Sequence, residues 1–398
     1  MQPAVKIGQE SFAERAGRLR ENHEELVSRP NVLDASYDTG FLNRYKNPVL
    51  TAAHVPLEWR IDFDRQRNPF CMERLGVNAV FNAGAIFNEG RHVLVARVEG
   101  YDRKSFFAVA ESRTGIDQFR FCGEPLRIVE NDPEETNWYD MRVTRHEDGW
   151  IYGTFCVEKK DPAAPESDTT QAIASCGIVR TKDLRRWERL PDLVTPSPQQ
   201  RNVVLHPELI HGRYMFYTRP MDHFISAGGR GGIGYGFSDS MEEPVIKEER
   251  VMEERVYHTI KESKVGPGAP PLKTADGWLH VAHAVRANAA GLRYVLYAFL
   301  CALDEPWRVI ARPGGYLLAP EGSERVGDVS DVLFSNGLTV NESGELFLYY
   351  ASSDTRLHVA TTTVEALLDY TRHTPPDAGK SSACSQQRTD LIRKNLIK

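Results

Sequence analysis

From about residue 80 onward the chain repeats one pattern: a glycine, then a short run rich in Val, Ile, Tyr and Phe, then a second such run. The glycines are Gly90, Gly149, Gly212, Gly277 and Gly344. They precede His92–Arg97, Trp150–Phe155, Arg213–Thr218, Trp278–His283 and Glu345–Tyr350. The second runs are Ser105–Ala110, Ala174–Arg180, Gly232–Phe237, Tyr294–Leu300 and Leu357–Thr361. β-branched and aromatic runs bounded by turn residues predict strands. No long amphipathic helix separates them, which argues against βαβ units. The glycines lie 59, 63, 65 and 67 residues apart, from subtraction of their numbers. That leaves room for four strands per repeat. Five hairpin-containing repeats predict an all-β chain, a five-bladed β-propeller. A β-sandwich would turn at shorter intervals.

Helices are expected only outside this core. Ser11 to Ser28 reads as a helix capped by Ser11, with Phe12, Ala16, Leu19 and Leu26 as its apolar stripe and Pro30 as its stop. Thr363 to Tyr370 reads as a short helix, residues 374 to 386 as a linker, and Leu391 to Lys398 as a last helix. The expected organisation is an N-terminal helical arm at 1–44, a catalytic propeller at 45–372 and a C-terminal extension at 373–398. The N-terminal helix suits packing on its own domain or on a partner subunit equally well.

Composition narrows the function. A net charge of −6 with scattered basic residues excludes a nucleic-acid footprint. No apolar run reaches membrane-spanning length, and the polar segment Met1 to Arg29 lacks a secretory signal. Cys71, Cys122, Cys156, Cys176, Cys301 and Cys384 are widely spaced. They read as reduced thiols of a cytoplasmic enzyme, not as a disulfide framework or a zinc site.

A propeller pocket is lined where the innermost strands end, so polar residues at the run ends should converge. Those are Arg97, Glu99, Arg219, His283, Arg286 and Ser352 to Asp354. The segment Asn137–Thr144 enters the second repeat and carries Asp140 between Tyr139 and Met141. A buried carboxyl there is a candidate proton donor, because desolvation favours the neutral acid. Such a polar, cationic pocket suits a sugar together with an anion. The run Gly229–Gly234 satisfies G-x-G-x-x-G, but a strand-like run follows it and not a helix. It therefore reads as a loop at the pocket mouth or between subunits, not a dinucleotide site.

Several longer stretches resemble one family. They are Arg67–Phe70, Val95–Gly100, Asp102–Phe107, Tyr139–Arg142, Gly177–Leu184, Arg201–Glu208, His258–Glu262 and Tyr349–Arg356. From about Tyr45 to its end the chain resembles glycoside hydrolase family 130, the inverting β-mannoside phosphorylases. The resemblance implies a five-bladed propeller, Asp140 as the single catalytic acid, and phosphate held by Arg180, Arg201 and His283. It implies a mannose site at Arg67, His206 and Asp354, and a glucose-side contact at Arg103. Asn82, Arg97, Glu99, Tyr139 and Lys261 complete the expected sugar-binding set. The implied reaction converts a β-1,4-mannosyl-glucose and inorganic phosphate into α-mannose 1-phosphate and glucose. In the family the acid acts through the mannose 3-hydroxyl. No cofactor and no metal are expected, phosphate being a co-substrate. The expected partners are the disaccharide and a homo-oligomer, with neither nucleic acid nor membrane.

One acid suffices for such chemistry. Phosphate is already an anionic nucleophile, so the second carboxylate of an inverting hydrolase is dispensable. Arginine forks hold it in line. Two alternatives stay open: a phosphate-independent β-mannoside hydrolase using Glu99 or Asp354 as second carboxylate, and a non-catalytic carbohydrate-binding propeller.

Overall fold

The computed structural model describes residues 10–37, 39–74, 76–379 and 381–397. It is mostly β. Most neighbouring strands are consecutive in sequence, as hairpin-connected strands are. The first sheet runs Val77–Asn88, Arg91–Gly100, Ser105–Ser112 and Arg120–Phe121. The second comprises Glu135–Arg145, Ile151–Lys160, Ala172–Thr181 and Glu188–Leu193. In the third, Val204–Ile210, Arg213–Thr218, Ile233–Ser238 and Arg250–Glu253 are neighbours. The fourth orders Lys264–Pro267, Gly277–Asn288, Gly291–Cys301 and Val309–Ala311, with Leu272–Thr274 also on Gly277–Asn288. The fifth has Leu333–Val340, Glu345–Ser352 and Arg356–Thr363, and Asn43–Arg44 from the N-terminal side supplies its outer strand. A parallel bridge, Gly84 to Asn336, joins the first and fifth sheets.

The five glycines of the repeat all sit at positive φ, from 72° at Gly90 to 148° at Gly277. Each stands at the turn leading into a long strand of its sheet, a conformation that costs a side-chain-bearing residue more than glycine.

Apolar residues pack between sheets in five clusters. Val95 and Phe107 meet Met141 and Phe155, joining first to second. Tyr152 and Ile178 meet Leu205 and Phe216, second to third. Tyr217 and Tyr235 meet Trp278 and Tyr297, third to fourth. Leu279 and Leu296 meet Leu348 and Tyr350, fourth to fifth. Val80 and Leu94 meet Tyr349 and Leu357, first to fifth. Every sheet therefore buries both faces. Each such side chain contributes ~1.5–3 kcal/mol by leaving water.

The N-terminal helix Phe12–Ser28 has the expected cap: Ser11 and Glu14 form a reciprocal capping box. Its Ala16 packs on Leu57, Ile61 and Cys71, so the arm lies on its own chain. Val364–His373 is capped by Thr363 and buries Leu367. The expected linker is shorter than the sequence suggests, since a helix already occupies Ser381–Leu396. Pro375 and Pro376 bar helix only as far as Gly379. Residues 1–9 of the expected arm, and Lys398 at the end of the expected last helix, lie outside the described residues. No helix among the described residues is long and apolar enough to cross a membrane.

Candidate active site

The leading strands of three sheets break register at an Asn or Asp. The ladder of Val77–Asn88 shifts between Phe81 and Gly84, around Asn82. That of Glu135–Arg145 shifts between Tyr139 and Arg142, around Asp140. That of Leu333–Val340 shifts between Ser335 and Gly337, around Asn336. A bulge re-aims one side chain out of the alternation. Asn82 and Asp140 adopt φ of 46° and 61°, and Asn202 and Asp354 adopt 58° and 49°. Asn and Asp tolerate this left-handed region best among residues with a side chain. All four line one cleft of about 1000 Å³.

At one end of the cleft stand carboxyls. Asp140 is 8 % exposed, and its Oδ1 accepts from Asn82 Nδ2 at 2.8 Å and Arg97 Nη1 at 3.0 Å. Arg97 also pairs with Glu99 and donates from Nε to Ser105 Oγ at 2.9 Å. Its guanidinium lies 4.4 Å from the Phe81 ring centre and 4.7 Å from that of Tyr139. Burial works against this charge, yet Asp140, Glu99 and Asp354 hold the Arg97 proton more firmly than usual. Both donors to Asp140 meet Oδ1, and among the described residues none meets Oδ2. Asp354 and Asp328 line the same end.

At the other end stand cations. Arg201 lies 3.9 Å from the Phe224 ring centre, and its Nε is buried without a partner. Arg219 is 3 % exposed, and Nη1 donates to His283 Nε2 at 3.1 Å. A guanidinium only donates, so Nε2 is the acceptor and the His283 ring proton sits on Nδ1. Burial, then Arg219, Arg142 and Lys264, push the His283 imidazolium value well below the ordinary one, keeping the ring neutral. Lys264 donates to the Ile225 carbonyl at 3.1 Å, and burial with Arg219 and Arg201 brings its ammonium value down to about 7. Burial likewise lowers Arg219 to about 10. Among the described residues none of Arg201, Arg219 and Lys264 forms an ion pair, although Glu158 also lines the cleft. Tyr139 lies between the two ends, with Arg97 near its ring and Arg201 5.9 Å from the ring centre.

The structure gathers Asp140, Asn82, Arg97, Glu99, Arg103, Tyr139, Arg201 and Asp354 around this cleft. His283 stands behind Arg219 and is fully buried, so it is placed to orient that arginine instead of carrying charge to an anion.

Four expected residues are not brought there. Arg180 lies on the outer side of the second sheet, donating to Glu188 Oε2 at 2.8 Å and Glu242 Oε1 at 2.6 Å, with its guanidinium over Trp150. Arg67 is exposed and bridges Asp62 and Asp64, each at 3.1 Å. His206 is wholly buried against Trp278, its ring centre 4.2 Å away, and burial lowers its value to about 4. Lys261 is buried against Glu253 at 2.6 Å. Their charges are already satisfied, or their rings packed, away from the cleft. Arg286, expected to converge by position, lines a separate pocket with Arg293 and Tyr316.

Sequence reasoning passed over Lys264, Asn202, Tyr294, Phe224 and Asp328. Asn202 carried a weak signal, an Asx just before the strand-like run Val204–Ile210. Lys264 carried none, because only burial makes it unusual. The loop before Gly229–Gly234 borders the cleft through Phe224 and Ile225, and a strand follows it, so the dinucleotide pattern is indeed no nucleotide turn. Among the described residues no group of three His, Cys, Asp or Glu could hold a metal ion.

Comparison with known proteins adds a lineage to this geometry. The profile of glycoside hydrolase family 130, described as β-1,4-mannooligosaccharide phosphorylase, matches residues 49–373. A Bacteroides fragilis protein named 4-O-β-D-mannosyl-D-glucose phosphorylase is 54% identical over 385 residues, 97% of this chain and 98% of that one. A Ruminococcus albus β-1,4-mannooligosaccharide phosphorylase is 30% identical over 313 residues, 74% of this chain and 85% of its own. The solved β-1,2-mannobiose phosphorylase of Listeria innocua superposes with a TM-score of 0.66, covering 83% of this chain and 99% of that chain. At 21% identity that likeness speaks to the fold alone.

Proposed function

Because this chain belongs to glycoside hydrolase family 130, we propose that it catalyses reversible phosphorolysis of β-1,4-mannosyl-glucose to α-D-mannose 1-phosphate and D-glucose. It is thus an enzyme of the phosphorylase class, a hexosyltransferase, with inorganic phosphate as co-substrate. One observation carries the reading: a single cleft is lined by the Asp140 carboxyl and by the cations Arg201 and Arg219, which among the described residues have no ion pair, with the Lys264 ammonium close enough to feel both.

In this reading Arg201, Arg219, Lys264 and Asn202 hold phosphate beside the anomeric carbon. His283 fixes the Arg219 fork. Phosphate attacks opposite the leaving glucose, and the C1–O bond to glucose breaks as the C1–O bond to phosphate forms. Asp140 supplies the proton that the glucose oxygen takes up, by way of the mannose 3-hydroxyl, and phosphate's own proton restores the acid. A single displacement inverts the centre. Asn82 and Arg97 hold the Asp140 carboxyl in place, and Arg103 reaches the acceptor side.

The alternative is hydrolysis, favoured by the presence of Glu99 and Asp354 in the same cleft as possible bases. Incubating mannosyl-glucose with and without phosphate separates the two. Proton NMR at early time should show α-mannose 1-phosphate only when phosphate is present. Turnover without phosphate, or a β-phosphate product, would overturn the reading.

The same proposal extends to architecture. Five sheets, each packed on two neighbours, fit a five-bladed propeller with Asn43–Arg44 completing the last blade. Bonds from Arg142 to the Gly268 carbonyl and from Asn336 to the Met141 carbonyl cross between innermost strands of different sheets, as around a common axis. The arm, propeller and C-terminal extension keep the boundaries 1–44, 45–372 and 373–398. Free cysteines fit a cytoplasmic setting. The exposed Leu391, Ile392 and Leu396 of the last helix fit a homo-oligomer, which light scattering of the purified protein would test.

A further inference from the structure

We propose that Asp354 meets the sugar as a neutral carboxylic acid, donating a hydrogen bond to a hydroxyl oxygen of the glycoside while Asp140 and Glu99 share the Arg97 cation. The proposal rests on the reading of this cleft as a glycoside site.

Asp354 lies in the turn between Glu345–Ser352 and Arg356–Thr363, with φ of 49°. It lines the cleft, and among the described residues its carboxyl has no hydrogen bond and no ion pair. The groups that face it come from four other elements. Arg97 and Glu99 belong to Arg91–Gly100, Asp140 to Glu135–Arg145, Tyr294 to Gly291–Cys301, and Asp328 to the segment before Leu333. Arg97 is already committed: Nη1 serves Asp140, Nη2 serves Glu99 and Nε serves Ser105. Asp328 is held by the Asn78 amide. Three carboxyls therefore surround one guanidinium, three of whose five N–H groups are already bonded elsewhere, and Asp354 is the carboxyl that receives none of those bonds. A buried carboxylate beside two others, with no donor of its own, is the form electrostatics disfavours. Burial pushes the Asp354 carboxyl up to about 7, with Arg97 opposing and Asp140, Glu99 and Asp328 adding to it.

The chemical consequence is a change of role. A carboxylate only accepts, whereas the neutral acid has one O–H to give. Substrate that needs this donor binds only the protonated fraction, so its apparent affinity should fall as pH rises above 7, approaching about tenfold per pH unit.

The test compares Asp354→Asn, which keeps a neutral donor, with Asp354→Ala, which has none. With phosphate saturating, the KM for mannosyl-glucose in the parent enzyme should rise about fivefold between pH 7 and pH 8, and about tenfold more for each further pH unit. In D354N that rise should vanish, whereas D354A should show a raised KM at every pH. If D354N is as impaired as D354A at pH 6, the residue acts as a carboxylate and the proposal fails.

A substrate-free readout distinguishes this failure from failure of the glycoside reading. The folded value lies above the unfolded value of 3.8. Between about pH 4 and 7 the native state therefore binds a proton that the unfolded chain has lost, and stability falls as pH rises through that window. D354N lacks this loss, so its Tm advantage over the parent should grow from pH 5 to pH 8. An infrared band of a protonated carboxyl, lost as pH passes 7, reads the same proton without any substitution. A flat Tm difference with no such band sinks the neutral acid, whatever the substrate. A growing difference with an unmoved KM for mannosyl-glucose sinks the donation to the sugar, and with it the glycoside reading of this end.

Discussion

The two ends of the cleft solve burial of charge in opposite ways. At the carboxyl end, Asp140 and Glu99 lean on Arg97, and the arginine is sandwiched between Phe81 and Tyr139. At the cation end, Arg201 lies over a ring, Arg219 donates to a neutral imidazole and Lys264 to a carbonyl, and among the described residues none of the three forms an ion pair. Unpaired buried charge is costly, and a fold keeps it where a ligand will complete it. In the proposed reading the cation end takes the phosphate and the carboxyl end supplies the acid. One cleft can then place a nucleophile and an acid on opposite sides of a sugar without either neutralising the other.

That contrast can be broken first at the acid. Asp140→Asn should keep the fold and lower kcat by about two to four orders of magnitude, the range of a positioned general acid. A folded variant with near-parental kcat would remove Asp140 from the reaction.

Next comes the cation end. Arg219→Met keeps the length and loses the charge. It should raise the phosphate KM by about ten- to a hundredfold, the equivalent of about 1.5–3 kcal/mol for a charge-assisted bond. Because an unpaired buried charge disappears, its phosphate-free Tm should hold or rise. A fall in Tm with unchanged phosphate KM would make Arg219 a structural strut.

A smaller effect sharpens the comparison through pH. Lys264 carries charge below about pH 7 and loses it above. Lys264→Met should cost roughly tenfold in phosphate KM at pH 6 and only a few-fold at pH 8.5, since the parent has by then lost the same charge. An equal cost at both pH values would show that bound phosphate does not sense that charge.

The smallest effect should come from Arg180. It lies outside the cleft, and Glu188 and Glu242 are both well exposed. Arg180→Ala should leave the phosphate KM within about twofold and cost about 1 kcal/mol or less in stability, as surface pairs do. A large rise in phosphate KM would return it to the anion site.

How much of this was readable beforehand depends on what each residue's position encodes. The five glycines and the runs after them carry the repeat locally, because a tight turn and a strand are decided within a few residues. Thus Gly90 to Gly344 all take positive φ, and the capping box of Ser11 and Glu14 forms as the pattern predicts. Arg97, Glu99 and Asp354, at strand ends, and Asp140, at the entry to the second repeat, were legible for the same reason. Arg180, His206 and Lys261 were not. Their motif neighbourhood looked as promising, but a linear pattern does not say which strand of a sheet lies innermost or which face a side chain takes. Cross-strand register puts Glu188 opposite Arg180. Inter-sheet packing buries His206 under Trp278, and Glu253 lies in reach of Lys261. The cation end was the converse case. Arg219 and Lys264 are ordinary residues in sequence, and they become a site only because the third and fourth sheets bring their charges into one low-dielectric space. Local turn and strand preferences are short-range and survive in the sequence, whereas desolvation and charge pairing depend on neighbours that only the packed sheets supply.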